Sequence, residues 1–313
     1  MEKIEYFSYK NYQNNNEYKI IRLFQKTFKR KFNLKKWNWT FKKNPNGKSK
    51  IKLVFFKNKL IGQCASVKIF FKLNSNKRIF YRIQHFFVDK NYRLKKIATK
   101  NLKLLTLSIK KNNYIITFPN DNSIKTFLRV GFKRSYIYTY EMLLNQKYGT
   151  EKKLSTKNST KVKFDKKDIN LINDCLKQYP VFNIRTIKYL NWRYSSNYSK
   201  YKISRIFFNK EMIGLIVAKF YVNDKSICIC ELFLKDANKN LYSLIKSTMF
   251  NFKINKPKKI KIWSRPYFNF HRSLLNFGFK KTNFRTNVCV DKNLSKNKFT
   301  KKMYLSMGDS DVY

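Results

Sequence analysis

The chain repeats itself. Trp39-Thr40-Phe41, followed by Asn44, returns as Trp192-Arg193-Tyr194, followed by Asn197. Phe55-Phe56 and Ile61-Gly62 return as Phe207-Phe208 and Ile213-Gly214, and Gly131-Phe132 returns as Gly278-Phe279. Matches kept in order at an offset of roughly 150 residues are the mark of duplication. That offset is also the size of one ordinary domain. The 313 residues therefore predict two domains of like fold, the first over 1–146 and the second over 163–313. A polar stretch without periodicity, 147–162, reads as the linker between them.

Within the first half the hydrophobic pattern sets an order of elements. Ile20, Ile21, Phe24 and Phe28 fall at helical spacing and predict a helix over 17–31. Apolar stretches at 50–56, 60–73 and 78–89 read as three antiparallel strands, parted by turns at 57–59 and 74–77. A polar loop, 90–95, leads into a helix that carries Ile97, Leu102, Leu105 and Ile109. A short buried strand comes next at 114–118, then a helix that carries Ile124, Phe127 and Leu128. Gly131 ends that helix as a C-cap would, and a last strand spans 135–144. The fold class is α/β (α+β), each domain a mixed, mostly antiparallel sheet flanked by helices.

Composition narrows the environment. Lys and Arg number 70 against 17 Asp and Glu, a formal net charge of +53. The lysines are spread along the whole chain among Phe, Tyr, Ile and Leu, so they coat a folded surface and do not form a basic tail. A nucleic-acid partner is the second reading of that charge, because polyanions are attracted in any case. Five cysteines without a CxxC pair read as reduced thiols, not as disulfides or a zinc site. The polar N-terminus lacks a signal-peptide core, and no apolar stretch approaches the 18 or so residues a membrane span needs. The expectation is a cytoplasmic protein without a metal.

The sharpest local feature is Val88-Asp89-Lys90-Asn91-Tyr92-Arg93-Leu94-Lys95-Lys96-Ile97-Ala98. A long strand ends, a short loop turns and a helix begins. A helix start offers unpaired N–H groups and a positive dipole end, which suit a pyrophosphate, and Arg93, Lys95 and Lys96 add charge. The segment resembles the phosphate loop of the GNAT acetyltransferases, which reads Arg or Gln, two residues, Gly, one residue, then Gly or Ala. Arg93 and Ala98 match, and Lys96 stands where the first glycine belongs. Pro119-Asn120, Ser123, Phe127 and Gly131-Phe132 resemble a second GNAT segment, with Phe127 in place of the Tyr that protonates the leaving thiolate. The two Trp segments and Gly308-Asp309-Ser310-Asp311 resemble a subset of two-domain bacterial GNAT proteins, many of them assigned to cell-surface sugar modification.

The resemblance implies an N-acyltransferase that moves an acetyl or short acyl group from acyl-CoA to a primary amine on a small molecule or sugar precursor. It places the donor, acetyl-CoA, on the backbone of Phe87 and Val88 in a bulged fourth strand, on Arg93, Leu94, Lys95, Lys96, Ile97, Ala98 and Thr99, and at Asn120. A base must take the amine's proton; His85, Asp309 and Asp311 are the candidates. The second half has no such loop at 231–240 and is expected to hold no donor. Two other readings stay open: a Fem-like transferase that takes aminoacyl-tRNA, and a basic nucleic-acid-binding protein without catalysis. His271 reads as a satisfied partly buried histidine, Asp89 as a turn residue, and Trp37, Trp39 and Trp192 as core. Arg185 and Arg193 either line a pocket or brace the domain interface.

Overall fold

The structure, a computed structural model, describes residues 7–93, 96–109, 112–144, 155–195, 200–297 and 301–310. The first half forms β1 (Phe7–Asn11), α1 (Glu17–Phe28), α2 (Leu34–Phe41), β2 (Lys50–Phe56), β3 (Lys59–Leu73), β4 (Asn76–Val88), α3 (Ile97–Leu107), β5 (Tyr114–Thr117), α4 (Asp121–Arg129) and β6 (Lys133–Leu143). The second forms β7 (Ser155–Ser159), α5 (Lys166–Leu176), β8 (Val181–Asn183), α6 (Ile187–Tyr194), β9 (Tyr201–Phe208), β10 (Glu211–Tyr221), β11 (Ser226–Leu234), α7 (Ala237–Asn251), β12 (Lys259–Ser264), α8 (His271–Asn276), β13 (Lys280–Val290) and α9 (Lys292–Ser295). The expected α/β class and the mixed, mostly antiparallel sheets are present.

The duplication is visible in detail. The eight-residue helices α2 and α6 carry the repeated Trp segments. Each is capped by a side chain, Asn33 accepting from the Lys36 amide at 2.9 Å and Thr186 from the Tyr189 amide at 3.1 Å. Helices α4 and α8 both end at a glycine with positive φ, +96° at Gly131 and +102° at Gly278. The next residue is Phe each time, and its amide bonds back to a helix carbonyl, Phe132 to Phe127 at 3.1 Å and Phe279 to Leu274 at 3.0 Å. That 6→1 bond is what a left-handed residue after the last turn permits.

Contacts divide the described residues into two compact units, drawn from Met1–Phe71, Asn76–Ser135 and Asn287–Lys298, and from Lys72–Ser75, Tyr136–Thr286 and Phe299–Tyr313. This differs from a division at 146 and 163. In the first unit the sheet runs β1, β2, β3, β4, β5 and then the end of β13, where Cys289 and Val290 face Thr117 and Ile116. In the second it runs β7, β9, β10, β11, β12 and then β6, with Ser264 facing Tyr138 and Lys259 facing Leu143. The strand expected to close the first domain thus lies in the second unit from Tyr136 onward, and the end of β13 takes its place. Alternation along a strand reports its buried face and not its distant partner. For the same reason β7 lies unannounced inside the stretch that reads as linker: its register against β9 is non-local.

The first unit's core gathers Tyr81 and Ile83 from β4, Leu102 and Leu105 from α3, Ile115 from β5, and Ile124 and Phe127 from α4. Phe127 is 2% exposed and stacks edge-on against Phe86 and Phe132. A Cβ added at Gly131 or Gly278 would meet nothing within 4 Å. Gly131→Ala and Gly278→Ala should therefore each lower the unfolding free energy by about 1 kcal/mol through the left-handed backbone alone. Denaturant titration of both single variants and the double checks this, with additive losses expected.

Candidate functional site

The first unit opens where two parallel strands part. β4 and β5 are paired from Phe80 and Tyr114 to Ile83 and Thr117, and no strand pairing between them is found beyond that point among the described residues. Two residues on, His85 has a φ of +51° inside β4. A left-handed residue within a strand is a bulge, which bends the strand and re-aims the residues beyond it. The bulge is held from the β3 side, where the Gln63 Nε2 donates to the His85 carbonyl at 3.2 Å and the Asp89 amide to the Ile61 carbonyl at 2.7 Å. At the point of parting, the Thr117 hydroxyl donates to the Ile83 carbonyl at 3.1 Å.

Asp89 anchors the turn after β4. Its carboxylate accepts from the Asn91 amide at 3.2 Å and pairs with the Lys26 ammonium at 2.8 Å. Burial works against the charged form, yet Lys26 and the Asn91 amide hold this carboxyl below its ordinary value. The turn reading of Asp89 agrees with these contacts. Arg93 folds back, its Nε donating to the Val88 carbonyl at 3.3 Å. Lys96 then takes a φ of +57° as the N-cap of α3. That is the backbone a glycine favours, so the departure at this position preserves the turn at a cost of about 1 kcal/mol. Among the described residues no side chain caps α3, so its first N–H groups are left for a ligand or water. Ile97 is buried beneath, against Val54, Ile61 and Val88. Ala98 and Thr99 are half-buried on the first turn, while Leu94 and Lys95 lie outside the described residues.

His85 sits among three phenylalanines. Its ring stacks on Phe24 at 4.9 Å and lies 5.1 Å from Phe32 and 5.2 Å from Phe41. Helices α1 and α2 and the segment joining them supply all three rings. Phe87 also meets Phe24 and Phe28 edge-on. Asn120 is the N-cap of α4, its Oδ1 accepting from the Ser123 amide at 3.1 Å and hydroxyl at 2.9 Å. Among the described residues no group of three His, Cys, Asp or Glu could hold a metal, and no helix is long and apolar enough to cross a membrane.

The second unit repeats the strand parting but not the loop. β11 and β12 pair from Ser226 and Lys259 to Ile229 and Ile262. α7 also begins after a left-handed residue, Asp236 with a φ of +45°. Its carboxylate accepts from the Lys239 amide at 3.3 Å, so an acid of the chain itself sits at this helix start. The opposite sign of Lys96 and Asp236, both with positive φ before a helix, is the clearest difference between the halves.

Asp309 belongs to this second unit and is 3% exposed. It accepts from Arg185 Nη2 at 3.0 Å, the Ser306 amide at 2.9 Å and Asn183 Nδ2 at 2.9 Å. Arg185, fully buried, also reaches Glu231 at 3.2 Å. Burial opposes its charge, but Asp309 and Glu231 hold the guanidinium well above its ordinary value. Burial pushes the Glu231 carboxyl up, Arg185 pulls it down and Asp309 adds to the push. Arg193 donates to the Gly308 and Ser310 carbonyls at 3.1 and 3.0 Å. Both arginines thus brace the C-terminal segment. Asp311 lies outside the described residues. His271 is buried beside the Ser264 hydroxyl at 2.9 Å, and burial lowers its pKa, as a satisfied core histidine requires. Trp37 is fully buried in α2, while Trp39 and Trp192 are half-buried.

These ion pairs have measurable consequences. The stability difference between the chain and Asp89→Asn should be full above the usual carboxylate range near 4. Because the folded pKa is depressed, that difference should vanish as pH falls through it, as unfolding titrations from pH 7 to 3 would read. Arg185→Met leaves two buried carboxylates without their cation and should cost about 3–5 kcal/mol, measured by denaturant unfolding.

Compared by sequence, the chain matches no protein-family model and no curated protein. Compared by structure, it is similar to a GCN5-related N-acetyltransferase from Anabaena variabilis, with TM-score 0.67 over 91% of this chain and 72% of that one, at 11% identity. A probable N-acyltransferase of Enterococcus faecalis gives 0.65 over 90% and 72%, at 10% identity. A tandem GNAT protein from the clavulanic acid biosynthesis pathway gives 0.63 over 91% and 98%, at 9% identity. In its fold, then, the chain is similar to GCN5-related N-acetyltransferases, a tandem GNAT protein among them.

Proposed function

We propose that the chain is an acyl-CoA-dependent N-acyltransferase with one donor site, in its first unit, acting in the cytoplasm on a primary amine of a small molecule or sugar precursor. The observation that carries this reading is the contrast at the helix starts. In the first unit an uncapped α3 comes after a left-handed Lys96 beside the parted strands; in the second, Asp236 caps α7 with its own carboxylate. The donor's pyrophosphate would lie on the amides of Ile97 to Thr99, with Arg93 and Lys96 adding charge. Its arm would run along the bulged end of β4, at Phe87 and Val88. The donor supplies a thioester carbonyl open to attack.

The chain's own part is to orient the amine and take its proton. His85, at the bulge, is the base we favour, and Asp309 we assign to bracing the fold. The amine nitrogen bonds to the acyl carbon, the carbon–sulfur bond breaks, and the amine proton leaves on the imidazole. Phe127 offers no proton to the departing sulfur, and little is lost, since a thiol titrates near 8.5 and its anion leaves readily.

Calorimetry with acetyl-CoA, and with ATP as a charge control, tests the donor site. Acetyl-CoA should bind at least tenfold tighter than ATP, and Ala98→Glu should abolish the difference. Equal, salt-sensitive binding of both would sink the reading in favour of an RNA partner. For the base, His85→Phe keeps the aromatic packing. With amino sugars and small amines as acceptors, it should lower kcat/KM by about 10²–10⁴-fold and remove the acidic limb of the pH profile. An unchanged profile would remove His85 from that role.

A further inference from the structure

The parted strands of the second unit are filled by the chain's own C-terminal segment. Met303 to Ser310 are buried one after another, whereas Lys301 and Lys302 are exposed. A segment buried along its whole length is held by ties to the fold around it. Met303 and Tyr304 are tied to Tyr267 and Val181, and one further tie runs to the gap itself. The Tyr304 hydroxyl donates to the Leu232 carbonyl at 3.2 Å, beyond the last residue of β11 paired with β12. Between β11, β12 and Tyr304, Ser306 and Met307 lies a cavity of about 10 Å³, room for one water. Gly308 passes so close to β11 that an added Cβ would lie 1.8 Å from the Tyr194 hydroxyl, 2.7 Å from Glu231 Oε1 and 3.0 Å from the Cys230 carbonyl. Cys230 is the bulged residue of β11, since Val217 faces Glu231 and Ala218 faces Ile229. It stands two residues before Leu232, just past the end of the parallel pairing.

We propose that residues 303–310 are an intramolecular ligand of the second unit's strand gap, a groove shaped for an extended chain bearing amides. Tyr304 satisfies a strand carbonyl from within the gap, Gly308 lets the backbone pass the bulge, and Arg185 and Arg193 clamp the far end. In the first unit the matching place is the one proposed for the donor's arm. Only that comparison rests on the acyltransferase reading; the filling of the gap does not. The second unit is thereby closed to a donor twice over, by Asp236 at the helix start and by the tail between the strands.

Hydrogen exchange on the full chain without any donor tests this, so its failure leaves the acyltransferase reading untouched. In Gly308→Ala, amides of 303–310 and of 229–234 should speed up together by at least tenfold, while 80–88 and 114–117 keep their rates. If the tail speeds up and 229–234 does not, the segment is a surface strap and the proposal fails. It fails equally if the whole second unit exchanges as one body, because the tail is then ordinary core. Should Gly308→Ala not fold, Tyr304→Phe removes only the bond to Leu232. It should speed exchange severalfold at 229–234 and 303–306, and unchanged rates there would overturn the proposal.

Discussion

A parallel strand pair that ends after a few residues leaves backbone N–H and C=O groups on both strands, and buried groups of this kind must be satisfied. Both units of this protein are arranged around that constraint. In the first, β4 and β5 separate after Ile83 and Thr117, and the bulge at His85 turns the rest of β4 away. Gln63 and Ile61 tie down the β3 side, and the other side is left to the donor we propose. In the second, β11 and β12 separate after Ile229 and Ile262, and the C-terminal segment takes up the gap. One backbone geometry thus has two solutions in one chain.

Acids are scarce here, and where they stand is informative. Glu17 meets Lys42 at 2.7 Å, Asp89 meets Lys26, Asp168 meets Arg205 at 2.7 Å, and Glu231 and Asp309 share Arg185. Each of these buried carboxylates therefore has a cation. A carboxylate out of water is costly unless paired, and breaking such a pair costs more than forming it gains. These few acids fix turns, helix starts and the C-terminal segment, while most lysines remain on the surface. The net charge of +53 is therefore an excess on the outside of a fold whose interior is balanced.

Much of this is legible in the sequence where the signal is local. The repeat, the Gly-Phe helix ends, the long strands and the loop from Val88 to Ala98 each rest on spacing or on a residue type with one conformational use. The features that stay hidden depend on distant partners or on backbone that residue identity does not reveal. Helix α2, with eight residues, is too short for a helical period to stand out. The exchange of β6 and the end of β13 between units leaves no mark on either strand's own pattern. Lysine at 96 gives no hint of positive φ, because it rarely adopts it, and histidine at 85 is only modestly commoner there. Asp309 stands out as a rare acid in a chain rich in lysine, but its partner, Arg185, is far away in sequence, so its bracing role becomes visible only in the fold.

Lys96 and Asp236 show how the two halves diverged. Each is a residue of positive φ at the start of the helix after the third long strand of its unit, so that feature is common to both halves while the loop before it and the charge upon it differ. A phosphate-binding helix start works because its N–H groups and dipole meet an anion that arrives from outside. An Asp that bonds to the same amides supplies the anion from within, and a lysine at that position cannot. The reversal alone would discourage a phosphate in the second unit but would leave the strand gap exposed, with its carbonyls unmet. The tail removes that cost. Gly308 is the residue that makes this possible, because any side chain there would drive into Glu231, which pairs with Arg185, and into the Tyr194 hydroxyl that donates to Glu231.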